Sequence, residues 1–326
     1  MKLSNAVEGF VFALKAEGYA ASTIKMYIYV FDVLRGFLGD VEVEAIKPAD
    51  LTRYFAYLRT SYTPNRMNGD LSPLSGGSLQ NHWKAIRRFF RWAVSELRLR
   101  RRPDADLKLP PNKNPKVVLP LSEEEVKALM KVAEYCKPAE THGRKSFVMR
   151  KRTGDRDVAL LFALLDTGLR VEEMGRLNIQ DVNFETGEVF VAPFGNSGYK
   201  NKSRTVFFGK VTLRAVWRYL TTREDRQPTD PLFLSTMGYR MDNNSIRLLL
   251  ADLGRRSGVK NVHPHRFRHT FAIEFLRNGG DVFSLQRLLG HSTLAMVEKY
   301  LSLSTTDMQN AHRKASPADK WRLQVR

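Results

Sequence analysis

Residues 262–271, VHPHRFRHTF, put three histidines and two arginines into the seven positions 263–269, separated by a proline and a phenylalanine. Pro264 suits the first turn of a helix, where a missing backbone N–H costs nothing. Phe267, Phe271 and Phe275 recur every four residues, which predicts a helix over 264–277 with a buried aromatic stripe, ended by Gly279 and Gly280. His265 and Arg268 lie three apart and so share a different face. They fall in the first turn, where free backbone N–H groups and the positive end of the helix dipole favour an anion. Alone, the stretch fits equally well a structural ion pair at Arg268 and a capping role for His265. His263 reads as a cap and His269 as a neighbour of the anion-facing side.

The totals favour the anion. The 326 residues carry 53 Lys+Arg against 34 Asp+Glu, a formal charge of +19, and an excess of that size suggests a polyanionic partner. A membrane partner is not expected, because no apolar run approaches the roughly 18 residues that a spanning helix needs. The N-terminal MKLSNAVEGFVFALKAEG contains acidic residues and lacks the apolar stretch of a signal peptide. A single cysteine, Cys136, excludes an intrachain disulfide and a cysteine-based metal cage. The expectation is a soluble, cytoplasmic protein that binds nucleic acid and needs no metal.

At this length two domains are expected. Residues 1–102 read as a helical domain, with helices over 22–38, 48–60 and 78–97, the first of them capped by Ser22 or Thr23. In HWKAIRRFFRWAVSELRLRRR (82–102), Ile86, Phe89, Phe90 and Val94 face inward and leave Arg87, Arg88, Arg91 and Arg98 on the other side. No carboxylate balances them before Glu96, so they are candidates for DNA phosphates. RLRRRPDADLKLPPNKNPKVVLP (98–120) has five prolines and many charges, which is the composition of an extended, solvated linker. The boundary is placed at 103–120.

Residues 121–326 form the second domain. LSEEEVKALMKVAEY restarts a helix at 121–135 with Ser122 and Glu125 as a capping box. A basic irregular insertion (137–157) and a buried helix closed by Gly168 follow. GEVFVAP (187–193) and RTVFFG (204–209) predict a hairpin around the lysine-bearing tip GNSGYKNKS. Helices are expected over 210–221, 243–257, 264–277, 282–289 and about 293–301. The fold class is therefore mainly α, with a small antiparallel sheet in the second domain.

Three further segments weigh against a purely structural cluster. In DTGLRVEEMGRL (166–177) Arg170 follows a glycine stop in an apolar neighbourhood, and Glu173 lies three residues on. An unpaired buried guanidinium is costly, so Arg170 must have a partner. In LQRLLGHSTLAMVEKYL (285–301) Gly290 stops a short helix and leaves His291 at a corner, and the next helix carries Tyr300. The hairpin tip adds Lys200 and Lys202. Two arginines, two histidines, a lysine and a tyrosine without an acidic metal-ligand cluster suit a phosphodiester.

In order and spacing, T167-G168-L169-R170…E173, the lysine hairpin, H265-R266-F267-R268, L289-G290-H291 and a tyrosine nine residues later resemble the tyrosine recombinases, the phage-integrase family. The likeness covers about 117–305, and the first domain resembles the family's SAM-like core-binding domain in kind. The resemblance implies a site-specific recombinase that cuts and rejoins DNA through a 3′-phosphotyrosine and a Holliday junction, without metal or ATP. Arg170 and Arg268 would clamp the phosphate and His291 would add a hydrogen bond. His265 would assist the nucleophile Tyr300, and Glu173 and His269 would support them. The family's lysine position, counted back from Arg204, holds Tyr199; this departure makes Lys200 the candidate and Lys202 the alternative. The resemblance further implies double-stranded DNA sites, often of mobile elements, and a homo-tetramer on DNA that is a monomer or dimer when free. The tail 304–326 would make the contacts between protomers. No segment before residue 5 has the size of an additional DNA-binding domain. A nicking–closing enzyme of the type IB topoisomerase kind and a non-catalytic DNA-binding relative are the alternatives.

Because the expected grip is electrostatic, DNA affinity should fall about a thousandfold between 50 and 200 mM salt, as for a protein neutralising several phosphates. A titration of fluorescent duplex against salt measures the slope; a flat response contradicts the basic-surface reading.

Overall fold

The computed structural model describes residues 1–66, 70–111, 119–136, 147–193, 203–224, 226–290 and 293–294. The chain divides into two compact units, the first formed by Met1–Val117 and the second beginning at Val118.

The first unit contains helices α1 (Leu3–Ala16), α2 (Ala21–Leu38), α3 (Pro48–Thr60) and α4 (Gly76–Glu96). Their apolar stripes meet in an aromatic core, where Phe10 makes edge contacts with the rings of Phe31 and Phe89. Ser22 and Thr23 are not the caps of α2. Ala20 is the N-cap, with no side-chain cap, so they lie two and three residues too far inside. Phe89, Phe90 and Ile86 of α4 are buried as expected, but Val94 is exposed. The helix ends at Glu96, and Arg98 therefore lies beyond it, in a left-handed conformation (φ 52°).

The proline-rich stretch is not solvated along its length. Asp104 is fully buried, and it accepts from Arg102 at 2.5 Å and faces Arg87 at 3.7 Å. Trp83 donates its indole N–H to the Leu107 carbonyl at 2.8 Å, and Gln80 donates to Pro110 at 3.0 Å. Composition predicts solvent here because proline and charge cannot enter regular structure. Side chains of α4 supply the partners instead.

The second unit contains α5 (Glu123–Glu134), α6 (Gly154–Thr167), α7 (Val171–Arg176), β1 (Glu188–Val191), β2 (Arg204–Phe207), α8 (Lys210–Thr221), α9 (Asn243–Ser257), α10 (Pro264–Arg277) and α11 (Val282–Leu289). Ser122 and Glu125 form the expected capping box at the start of α5. α6 is its centre. Ala159, Leu160, Leu161, Ala163 and Leu164 are all buried, which a helix can sustain only when neighbours surround it. Those neighbours are α5, α8 and α10. β1 and β2 pair antiparallel, with Val191 opposite Arg204 and Val189 opposite Val206. The alternation expected of a half-buried hairpin follows, with Val189, Val191 and Val206 inward and Phe190 and Phe207 outward.

One buried arginine ties the start of this unit to α10. Arg266 donates to the carbonyls of Leu119, Pro120 and Lys260 at 3.1, 3.2 and 2.7 Å, and to Glu125 at 2.6 Å. One turn later the Thr270 hydroxyl accepts from the Leu121 N–H at 2.8 Å. Arg266 thus holds the chain entering α5 against the helix that carries His265 and Arg268.

In the first unit His82 is buried against Tyr54, whose hydroxyl lies 2.9 Å from Nδ1. Burial pushes His82 down to about 4. The unfolded chain takes up a proton near pH 6.5; the folded unit resists it until about 4. Stability is therefore complete above 6.5 and is lost as pH falls through that window, by up to about 3 kcal/mol. Hydrogen exchange in α3 and α4 should report this loss, and His82→Gln should flatten it. Equal pH dependence in both proteins would show that His82 is not the titrating group.

Candidate active site

Gly168 closes α6 in the left-handed conformation (φ 59°, ψ 23°) and turns the chain directly into α7. A side chain here would meet Phe271 Cδ1 at 2.5 Å and Leu289 Cδ2 at 3.0 Å, so only glycine allows α6, α10 and α11 to converge. Arg170 is the N-cap of α7. With six residues α7 is too short to persist alone, and side chains hold both its ends, from outside the helix at its C-terminus and from within it at its N-terminus. Arg240 Nη1 reaches the carbonyls of Gly175 and Arg176 at 3.1 and 2.9 Å, and its Nη2 reaches Asn178 Oδ1 at 2.7 Å. At the other end the Glu173 carboxylate accepts the Arg170 backbone N–H at 2.8 Å.

Glu173 is 4% exposed and saturated with donors. Its Oε1 accepts from Arg170 Nη1 at 3.1 Å and from Arg204 Nη1 at 2.9 Å, while Oε2 takes Arg204 Nη2 at 2.8 Å. Burial alone would raise its pKa. The Arg204 hydrogen bonds and charge, followed by the Arg170 N–H and charge, overcome that and hold the carboxyl below its usual value. One carboxylate thus serves two guanidiniums and leaves the pair a net positive charge.

Three arginines from separate segments end on three successive carbonyls. Arg204 Nε donates to Leu288 at 2.7 Å, Arg268 Nη2 to Leu289 at 2.7 Å, and Arg170 Nη2 to Gly290 at 3.5 Å. Arg268 Nη1 also reaches the Gly168 carbonyl at 2.8 Å. These carbonyls are the last turn of α11, where they lack helical partners and carry the negative end of the dipole. The helix end thus gathers three guanidiniums. Gly290 takes φ 65° and ψ 44°, and a side chain on it would stand 3.1 Å from Arg204 Nη1.

His265 is exposed in the first turn of α10. Desolvation by its surroundings, then the charges of Arg268, Arg247 and Arg170, hold its imidazole below the usual value, so it is neutral at neutral pH. His263 caps α10, its Nδ1 accepting from the Arg266 N–H at 3.3 Å. His269 is half-buried on the same helix. Arg170, Glu173, His265 and Arg268 thus come together, and Arg170 keeps 34% of its side chain open to solvent. Cations of fixed position around an open guanidinium can bind a phosphate and stabilise charge that builds on it. His291, Tyr300, Lys200, Lys202 and the tail 304–326 lie outside the described residues.

Two members of the neighbourhood escape sequence reasoning. Arg204 enters there only as a point from which to count, although its place at the base of the hairpin is the available signal. Nothing in the periodicity of α9 distinguishes Arg247. In the first unit, Arg87 stacks 4.7 Å over Trp83 and faces Asp104, and Arg88 pairs with Glu17 and lies 4.8 Å over Tyr19. The expectation that no carboxylate balances this helix fails, because both partners come from other segments. Arg91 and Arg98 are exposed. Among the described residues no group of His, Cys, Asp and Glu could hold a metal ion, and no helix is long and apolar enough to cross a membrane.

Known proteins resemble this chain over most of its length. The chain is 29% identical over 319 residues to the tyrosine recombinase XerC of Oceanobacillus iheyensis, covering 95% of each chain. It is 30% identical over 318 residues to the tyrosine recombinase XerA of Pyrococcus horikoshii, covering 96% of this chain and 94% of that one. The fold matches the Tn1549 transposon integrase in complex with a circular intermediate DNA, with TM-score 0.73, 18% identity, and 95% and 98% of the two chains covered. It also matches a lambda integrase dimer bound to a core site, with TM-score 0.67, 16% identity, and 91% and 97% covered. Residues 7–99 match the phage integrase N-terminal SAM-like domain and residues 120–306, which include Arg170, Arg204 and Arg268, match the phage integrase family; the chain belongs to that family.

Proposed function

We propose that this enzyme cuts a DNA strand by attack of the Tyr300 oxygen on a phosphodiester, giving a 3′-phosphotyrosine and a free 5′-hydroxyl. The chain is a site-specific tyrosine recombinase, and neither a nicking–closing topoisomerase nor a non-catalytic accessory role is favoured by its relatives. The observation that carries the mechanism is the convergence of Arg170, Arg204 and Arg268 on one helix end, with Glu173 between the first two. A phosphodiester resists attack because it is already anionic and gains charge at the transition state. Forked guanidiniums on its non-bridging oxygens offset both effects in a way that lysine cannot.

In this scheme the phenol proton passes to His265, whose neutral ring can accept it, and the departing 5′-oxygen takes a proton from Lys200, or from Lys202 in its place. His291 donates to the same phosphate, and His269 supports the arginine face. A phenol of pKa ~10 is a weak nucleophile unless such groups assist it. The bond energy stays in the phosphotyrosine. The 5′-hydroxyl of a partner strand can therefore reverse the step through a Holliday junction, with no call on ATP or metal. Arg91 and Arg98 contact phosphates of the double-stranded site. Arg87 and Arg88, already engaged by carboxylates and rings, shape that surface. The setting is the cytoplasm, and the substrates are double-stranded DNA recombination sites.

The active assembly is a homo-tetramer on paired sites, linked by the tail. A groove of about 900 Å³ on the second unit is lined by Val126, Leu165, Phe271 and Phe275, with Glu123, Asp166 and Glu274 on it. Residues 304–326 offer Met308, Trp321 and Leu323 together with Arg313, Lys314 and Lys320. Apolar complementarity favours the tail of one protomer in the groove of the next.

Tyr300→Phe should bind duplex within about twofold of the wild type and form no covalent adduct on a suicide substrate made from native flanking DNA. Persistent adduct would place the nucleophile elsewhere, although Tyr27 and Tyr219 are buried. Deleting 306–326 should leave single-site cleavage intact and abolish synapsis and strand exchange; unchanged recombination would remove the tail from the assembly.

A further inference from the structure

Arg204 opens β2 and pairs with Val191, the last described pair before the lysine-bearing tip. Only 12% of its side chain is exposed. Nη1 and Nη2 fork the Glu173 carboxylate and Nε binds the Leu288 carbonyl, so a single planar group contacts two segments in fixed directions. Each segment supports a different reacting group. Glu173 also holds Arg170, Leu288 lies three residues before His291, and the backbone of Arg204 is the base of the strand that leads to Lys200 and Lys202.

We infer that Arg204 is a positioning residue which sets the base of the hairpin, Arg170 and the end of α11 at fixed separations. The inference rests on the recombinase chemistry proposed above. Its basis is geometric. Glu173 has two oxygens and three side-chain contacts from arginines, two of which come from Arg204. If Arg204 is removed, Arg170 becomes the sole guanidinium on a carboxylate that stays buried. The hairpin base then loses its only described polar side-chain tie to Glu173 and α11. Gly290 supports the same view, since its missing side chain leaves room for the Arg204 guanidinium at 3.1–3.3 Å.

A residue that merely holds the hairpin to the core would affect stability alone. A positioning residue affects the reaction and its pH dependence as well. Without its fork, burial pushes Glu173 up, so the carboxylate takes a proton at a higher pH than in the wild type and releases Arg170 there. Activity should then fall on the acid side at a higher pH than in the unaltered enzyme.

The test uses full-length wild type, Arg204→Gln and Arg204→Lys on the suicide duplex. Single-turnover adduct formation is measured at saturating DNA from pH 5 to 9, beside DNA affinity and melting temperature. Arg204→Gln should cleave about 10 to 100 times more slowly, the usual cost of losing a supporting partner of a site residue. Its DNA affinity should stay within about threefold, and its acid limb should move to higher pH. Arg204→Lys keeps the charge but cannot fork, so it should recover part of the rate and part of the limb. If Arg204→Gln does not fold, the Lys variant carries the same comparison. Wild-type rates and an unmoved limb, with or without a lower melting temperature, overturn the inference. If the wild type itself forms no phosphotyrosine, the recombinase chemistry fails first and this role falls with it.

Discussion

A buried carboxylate between two guanidiniums decides what this second unit can be. Isolated, Glu173 would be too costly to bury as an anion, and Arg170 and Arg204 would repel each other in a dry corner. Together they form a charge-assisted set in which every oxygen of Glu173 is occupied. The set is one negative charge short of neutral, and that deficit makes the corner attractive to a phosphate. The arrangement therefore satisfies the buried charges and still leaves one positive charge over. A second carboxylate would have improved the ion pairing and reduced the attraction.

The remaining charge is met by dipoles rather than ions. The carbonyls of Leu288, Leu289 and Gly290 hold Arg204, Arg268 and Arg170 without cancelling them. A helix end supplies only partial negative charge; the guanidiniums are oriented but still cationic. This solution requires α11 to stop at one place and its last turn to be approached from three sides. Gly290 and Gly168, both left-handed, provide the stop and the approach. α6, buried on nearly all sides, is the fixed post from which Gly168 and Arg170 are measured.

Where structure follows from local pattern, it was legible in the amino-acid order. The bounds of α8, α9, α10 and α11 follow from apolar periodicity with glycine, asparagine or proline at their ends, and the hairpin follows from two alternating β runs around a polar tip. Arg170, Glu173, His265 and Arg268 are recognisable because motif order stands in for spatial proximity. Pairings distant along the chain are not written locally. Glu17 reaches Arg88 across 71 positions, and Glu173 reaches Arg204 across 31. Local charge counting therefore leaves α4 unbalanced and misses Arg204 altogether. The same blindness makes a docked stretch around Asp104 look solvated. Ser22 and Thr23 fail differently: good cap chemistry is present, but the helix starts before them, at Ala21, with Ala20 as its N-cap.

In VHPHRFRHTF the helical rotation distributes the work. At 100° per residue, neighbours in sequence point away from one another, so adjacent cationic side chains can serve unrelated partners. His263 turns back to cap α10, and Arg266 faces the chain entering α5, where carbonyls and Glu125 absorb its charge. Phe267 fills the core, Arg268 meets the end of α11, and His265 stays open beside it. The cluster is dense because one helix start joins three structural tasks to one chemical task. Inserting a residue between His265 and Arg268 would rotate Arg268 away from the Leu289 carbonyl while leaving the composition nearly unchanged. Spacing, more than the number of cations, decides which of these side chains meet the end of α11.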